Sequence, residues 1–227
     1  MRCLWLISLA TIMLGGCISV KPGGIIRDAK QPAGDVSNAI RYQAPTTSHL
    51  FKATLDIKKH HLTGLLVIKR MDSLAPPADT IQSGSGISVG TYRIVFVNEV
   101  GMTFFDFELS PTRLQVISCF ASLNRKSLLS ILETNFRMLT KNGSLDNEIY
   151  YRNKETNQVI VSGETGKYKV WNTYSADGDT LQVVGAKSNM ADPAIIAYEK
   201  YTDGAPRKIS IENPFIGMKM SLRRLVQ

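Results

Sequence analysis

Apolar and polar positions alternate with a period of two through most of this chain, beginning at Phe51. Phe51-Lys52-Ala53-Thr54-Leu55-Asp56-Ile57 puts every second residue on one face, the pattern of a strand with a dry side and a wet side. Residues 62–68 are nearly continuous in apolar character. Tyr92, Ile94 and Phe96 share one face of a third strand, and Phe105, Phe107 and Leu109 one face of a fourth. Asn98-Glu99-Val100-Gly101 supplies the hairpin connection between them. Residues 114–117 continue the meander. Further strands follow over 148–152, 158–162, 168–174, 180–186, 195–201, 208–211 and 218–222. Turn clusters such as Gly163-Glu164-Thr165-Gly166 and Asp177-Gly178-Asp179 separate them.

One segment breaks the alternation. Leu128, Ile131, Leu132, Asn135, Phe136 and Leu139 recur at spacings of three and four, the stripe of an amphipathic helix. Asn124 is placed to cap its start and Asn142-Gly143 to end it. A second, short helix is expected over 35–42, with Asp35 as N-cap and Val36, Ala39 and Ile40 inward. The whole reads as a mainly β (α+β) protein: an antiparallel meander of about eleven strands with one or two helices over its apolar face. A sheet of this kind that curls without closing becomes a half-open β-barrel. The last strand runs almost to Gln227, which ties the C-terminal segment into the sheet.

The first residues have a different texture. Arg2 is followed by an apolar run over 4–14 and then by Gly15-Gly16, the make-up of a secretory signal peptide. The run is shorter than the roughly 20 residues a membrane-spanning helix needs. Its ending, Leu14-Gly15-Gly16-Cys17, resembles the lipobox of bacterial lipoproteins, which implies diacylation of Cys17, through a lipid thioether-linked to its sulfur, and cleavage just before it. The alternative is an uncleaved apolar helix with Cys17 buried, and Gly15-Gly16 continue a helix poorly. Lys21-Pro22-Gly23-Gly24 and Gln31-Pro32-Ala33-Gly34 then have the make-up of a tether. The expected organisation is therefore signal peptide 1–16, lipidated start and tether 17–34, and one globular domain 35–227. The expected location is the outer membrane, lipid-anchored, on its periplasmic face.

Composition narrows the chemistry. The chain holds 27 Lys and Arg against 19 Asp and Glu, a net charge of +8. A basic, exported chain suits anionic membrane surfaces; its charges are too scattered to suggest nucleic acid. Of the three cysteines, Cys3 leaves with the signal and Cys17 takes lipid, so Cys119 has no partner for an intramolecular disulfide. There is no Walker loop, no GxGxxG and no GxSxG elbow. His60 and His61 are adjacent on a strand and point to opposite faces, and His49 lies apart, so no metal site is expected. Asp106 and Glu108 share the wet face of a strand whose dry face carries Phe105, Phe107 and Leu109. No catalytic residues, no metal and no cofactor are expected; the chain does not read as an enzyme.

The apolar positions have two readings. A curled sheet with a helix as lid would enclose a dry cavity suited to acyl chains. Leu62, Leu66, Ile68, Tyr92, Ile94, Phe96, Phe105 and Phe107 would line it from the strands, with Leu128, Ile131, Leu132 and Phe136 facing them from the helix. The other reading is a filled core. The succession from His61-Leu62-Thr63-Gly64-Leu65-Leu66 through Tyr92-Arg93-Ile94-Val95-Phe96, Glu99-Val100-Gly101 and Phe105-Asp106-Phe107 to the helix resembles the LolA/LolB lipoprotein-localisation family, LolB more closely. That resemblance implies a half-open barrel whose apolar cavity takes an acyl chain or lipoprotein cargo. It also implies a soluble periplasmic carrier as a partner, and a membrane-contact residue on a loop. Leu74, Ile81 and Ile87, in the long loop over 72–90, are the residues available for that contact. Two further readings stay open: a scaffold or assembly partner in the envelope, and an enzyme with an unrecognised site.

Overall fold

The structure, a computed structural model, describes residues 48–71, 90–140, 145–153, 155–165, 168–176, 180–187, 194–202 and 205–225. Residues 1–47, including Cys17 and the expected helix over 35–42, lie outside the described residues, as do Leu74, Ile81, Ile87 and Asn142-Gly143.

Among the described residues one antiparallel sheet of twelve strands carries the fold. Its strands are β1 (His49–Ile57), β2 (His60–Arg70), β3 (Tyr92–Val97), β4 (Thr103–Leu109), β5 (Leu114–Cys119) and β6 (Asp146–Arg152). They continue with β7 (Val159–Thr165), β8 (Tyr168–Tyr174), β9 (Leu181–Lys187), β10 (Ala194–Thr202), β11 (Ala205–Asn213) and β12 (Met218–Arg224). Helix α1 (Lys126–Thr140) lies between β5 and β6 in the chain. The strand order is β5-β4-β3-β2-β1-β12-β11-β10-β9-β8-β7-β6. Consecutive strands are thus neighbours except at α1, which carries the chain from one edge of the sheet to the other. β12 then returns to pair with β1, from Phe51↔Arg224 to Ile57↔Met218.

The sheet is not closed: β5 and β6 are its edges. It is nonetheless curled. Helix α1 touches β4 on one side and β9 and β10 on the other. β4 and β10 are six strand spacings apart in the sheet order, or roughly 29 Å if flat at ~4.8 Å each. A helix of 15 residues is only about 22 Å long. The sheet must bend around the helix for all three contacts to exist, which makes a half-open barrel with a covering helix.

Local chemistry explains the turns and one irregularity. Asn98 Oδ1 accepts hydrogen bonds from the backbone N–H of Val100 (3.1 Å) and Met102 (2.7 Å). Gly101 completes this turn at φ 87°, a conformation that favours glycine. The β3–β4 register then slips, pairing Phe96 with Phe105 but Val97 with Thr103. Phe104 is the extra residue of this bulge, and it joins Phe105 in the main apolar cluster although the two are neighbours in sequence. Helix α1 begins at Lys126, with Leu129 N–H donating to Arg125 C=O. Asn124 is therefore not its cap; its own N–H bonds Phe120 C=O in the preceding turn.

The outer face has a small core of its own. Trp171 and Ile160 are buried there, with Tyr151 packed against them. The Trp171 indole occupies the space above Gly185, where a Cβ would come within 2.0 Å of the ring.

Candidate functional site

Every cavity-lining residue expected from the sequence falls in one cluster. Leu66, Ile94, Phe96, Phe105, Phe107, Leu132 and Phe136 are fully enclosed, and Ile68 and Tyr92 are buried. Leu62, Leu128 and Ile131 are half-buried against them. Aromatic rings form the centre. Phe105 and Phe107 stack at 4.6 Å, and Phe136 of α1 meets both edge-on at 5.8 and 6.4 Å. Phe96 lies against Phe104 and Phe105 at 5.0 and 5.4 Å. These separations are those of favourable aromatic pairs. The seam between sheet and helix is therefore dry and, at its centre, closely packed.

One polar side chain interrupts it. Asn135 is 1% exposed on the buried stripe of α1. Among the described residues its Nδ2 reaches only the sulfur of Met218, at 3.7 Å, and its Oδ1 has no hydrogen-bond partner. A buried amide left in this condition costs about 1–3 kcal/mol. The amide is thus an unused handle under the helix.

At the end of the sheet where α1 finishes, a cavity of about 40 Å³ opens beside His49, Phe51, Ile68, Tyr92, Thr140 and Arg224. The imidazole Nε2 of His49 is buried without a hydrogen-bond partner among the described residues. Burial, and secondarily the Arg224 guanidinium, hold the His49 pKa below its ordinary value. The helix is pinned close by. Arg137 donates to the carbonyls of Ser110 (2.8 Å) and Pro111 (2.9 Å) in the β4–β5 turn, and pairs with Glu133 at 2.7 Å.

The carboxylates and His61 noted in the sequence lie on the outer face of the sheet or in its ion pairs. Asp106 pairs with Arg93 at 2.5 Å. His61 bonds Asp56 across the β1–β2 ladder, also at 2.5 Å. Among the described residues, no three His, Cys, Asp or Glu side chains come together as metal ligands. Cys119 is half-buried at the β5 edge, and burial raises its pKa.

Sequence reasoning missed Phe104, hidden by the bulge, and the unmet amide of Asn135. It also missed Arg224, because β12 becomes a neighbour of β1 only through the long return of the chain. The Phe104-Phe105 doublet was the one available signal, since a regular strand would expose one of the two.

No family model matches the chain, and no curated protein matches it. Two solved structures are similar in the course of the chain. One is a DUF1329 family protein from Desulfovibrio piger, with TM-score 0.43, 12% identity, and 79% of this chain covered against 84% of that one. The other is a LolA superfamily protein from Nitrosomonas europaea, with TM-score 0.43, 14% identity, and 86% of this chain covered against 92% of that one.

Proposed function

We propose that this chain is a lipid-anchored envelope protein that takes an acyl chain, free or on a lipoprotein, between its sheet and α1, and serves lipid or lipoprotein localisation. The observation that carries the reading is Asn135. A seam selected only as a core would place an apolar residue at this position, because an unmet amide under a helix weakens packing and specificity together. A ligand whose acyl chain ends in an amide or hydroxyl would satisfy the Asn135 oxygen while its hydrocarbon stays dry. The open sheet allows entry, since only α1, among the described residues, covers its apolar face. The lipobox-like Leu14-Gly15-Gly16-Cys17 supplies the anchor in this reading, with the outer membrane as its location and a soluble carrier as its partner.

Native mass spectrometry of the purified chain tests this. An added mass of a fatty acid, phospholipid or acylated peptide is expected. A bare mass, unchanged after incubation with those ligands, overturns it.

A second reading is favoured by a different observation. Val116, Ile117 and Phe120 are 37, 44 and 44% exposed on and just beyond edge strand β5. An apolar edge strand is a template for pairing with another chain. In that case the protein is a scaffold, and the bare mass is accompanied by capture of a partner that a charged residue at Ile117 abolishes.

A further inference from the structure

The outer face of the sheet, away from the α1 seam, carries a groove lined by Lys52, Lys200, Arg207, Lys208, Arg223 and Arg224, together with Thr54 and Ser221. Three of these cations stand in a row. Lys52 of β1 pairs directly with Arg223 of β12, which pairs directly with Lys208 of β11. Like charges opposite one another across a ladder destabilise a sheet. Among the described residues, the ion pair that meets the groove is Glu199–Lys208 at 2.9 Å.

Two more cations reach the groove against the strand period. Tyr198 and Ile209 are buried, so alternation along β10 and β11 would turn Lys200 and Arg207 inward as well. Both are exposed instead. The register leaves them opposite each other, between the pairs Glu199↔Lys208 and Tyr201↔Pro206, and Lys200 adopts φ 55°. A non-glycine residue in the left-handed region stores backbone strain. The fold therefore tolerates both charge repulsion and backbone strain to assemble this surface.

We propose that this outer groove docks on the anionic headgroup surface of a lipid bilayer. Charge complementarity is the first argument, since juxtamembrane Lys and Arg are each drawn to an anionic leaflet. The chain's own leading segment does not complement the groove: residues 18–47 hold Lys21, Arg27, Lys30 and Arg41 against Asp28 and Asp35. A second copy would present the same cations. Leu225, next to Arg224 in the chain, is 37% exposed. An apolar side chain beside a cationic groove suits a headgroup–acyl boundary, whereas a groove for single-stranded nucleic acid would interleave aromatic rings, and none lines this one. Arg224 belongs both to the groove and to the cavity at the end of the helix seam. Docking through the groove therefore brings Arg224, which also lines that cavity, to the bilayer surface. The inference holds whether or not Cys17 is acylated and whether or not the seam takes a ligand.

The test offers the full chain a mixture of neutral phosphatidylcholine vesicles and vesicles with added phosphatidylglycerol. Any anchor serves both populations equally, so the distribution between them reads the groove alone. The wild type is expected on the anionic vesicles, and molar salt removes the bias. Lys52→Glu, Arg207→Glu and Arg223→Glu together reduce it by about tenfold or more. A charge-matched control, Lys58→Glu, Lys59→Glu and Lys126→Glu at the other end of the sheet, retains it. Arg223→Gln alone keeps the fold, with an unchanged or higher melting temperature, and still weakens the bias. The proposal is overturned by an even distribution of the wild type, by a bias that survives in the triple variant, or by equal loss in the control. It is also overturned if the groove retains duplex DNA and shows no preference between vesicles.

Discussion

Asn135 and His49 are the residues whose positions make the least sense for folding alone. Replacing Asn135 by Leu removes the unmet amide while keeping the same number and branching of side-chain heavy atoms. The expected result is a gain of about 1–2 kcal/mol in stability, read as a higher melting temperature, with weaker retention of any co-purified acyl ligand. A loss of stability would show that the amide has a structural role. His49 responds to pH. In the unfolded chain its imidazole titrates near 6.5, and burial beside Arg224 lowers that value in the fold. Below 6.5 the unfolded chain therefore binds more protons than the folded one. The stability tied to neutral His49 is complete above 6.5 and is lost as pH falls towards the lower folded value. His49→Gln is expected to flatten the fall of melting temperature between about pH 7 and about pH 5. An unchanged slope assigns the acid sensitivity to other groups.

Helix α1 is the element on which the functional reading turns, and Arg137 is its clasp. The guanidinium joins the last turns of the helix to two carbonyls of the β4–β5 turn, where it also suits the negative end of the helix dipole. Arg137→Ala is expected to cost about 1–3 kcal/mol. Amide hydrogens of α1 should then exchange before those of β1 and β2. Exchange of helix and sheet as one unit would mean that α1 is fixed core rather than a separable cover. The elements themselves were legible in the sequence. Alternation located β1 and β3 to within two residues, and the spacing of Leu132, Phe136 and Leu139 identified α1. The exceptions have physical causes. The slip at Val97 and Thr103 inserts a residue that no periodicity announces, and it turns two adjacent phenylalanines inward. Lys200 and Arg207 turn outward through one left-handed backbone angle, which a lysine in a strand does not advertise. The residues of the apolar cluster could be named because they lie on consecutive strands and one helix stripe. Arg224 and His49 meet only through tertiary pairing.

Across the whole molecule, the topology places β1 and β12 side by side in the middle of the sheet, with the two edges at β5 and β6. This arrangement governs the order in which the chain becomes a fold. β1 can form a hairpin with β2 as soon as both exist, because only Lys58 and Lys59 separate them. Its other ladder, from Phe51↔Arg224 onwards, joins residues at opposite ends of the domain, a contact with a high loop-closure cost. During synthesis, one side of β1 stays bare until residues 218–224 have arrived. A bare central strand is adhesive, so the nascent chain passes through an aggregation-prone interval whose length is set by the making of its final strand. The arrival of β12 acts as a checkpoint: a chain shortened before Met218 would be left with a second pair of open edges down the middle of its sheet.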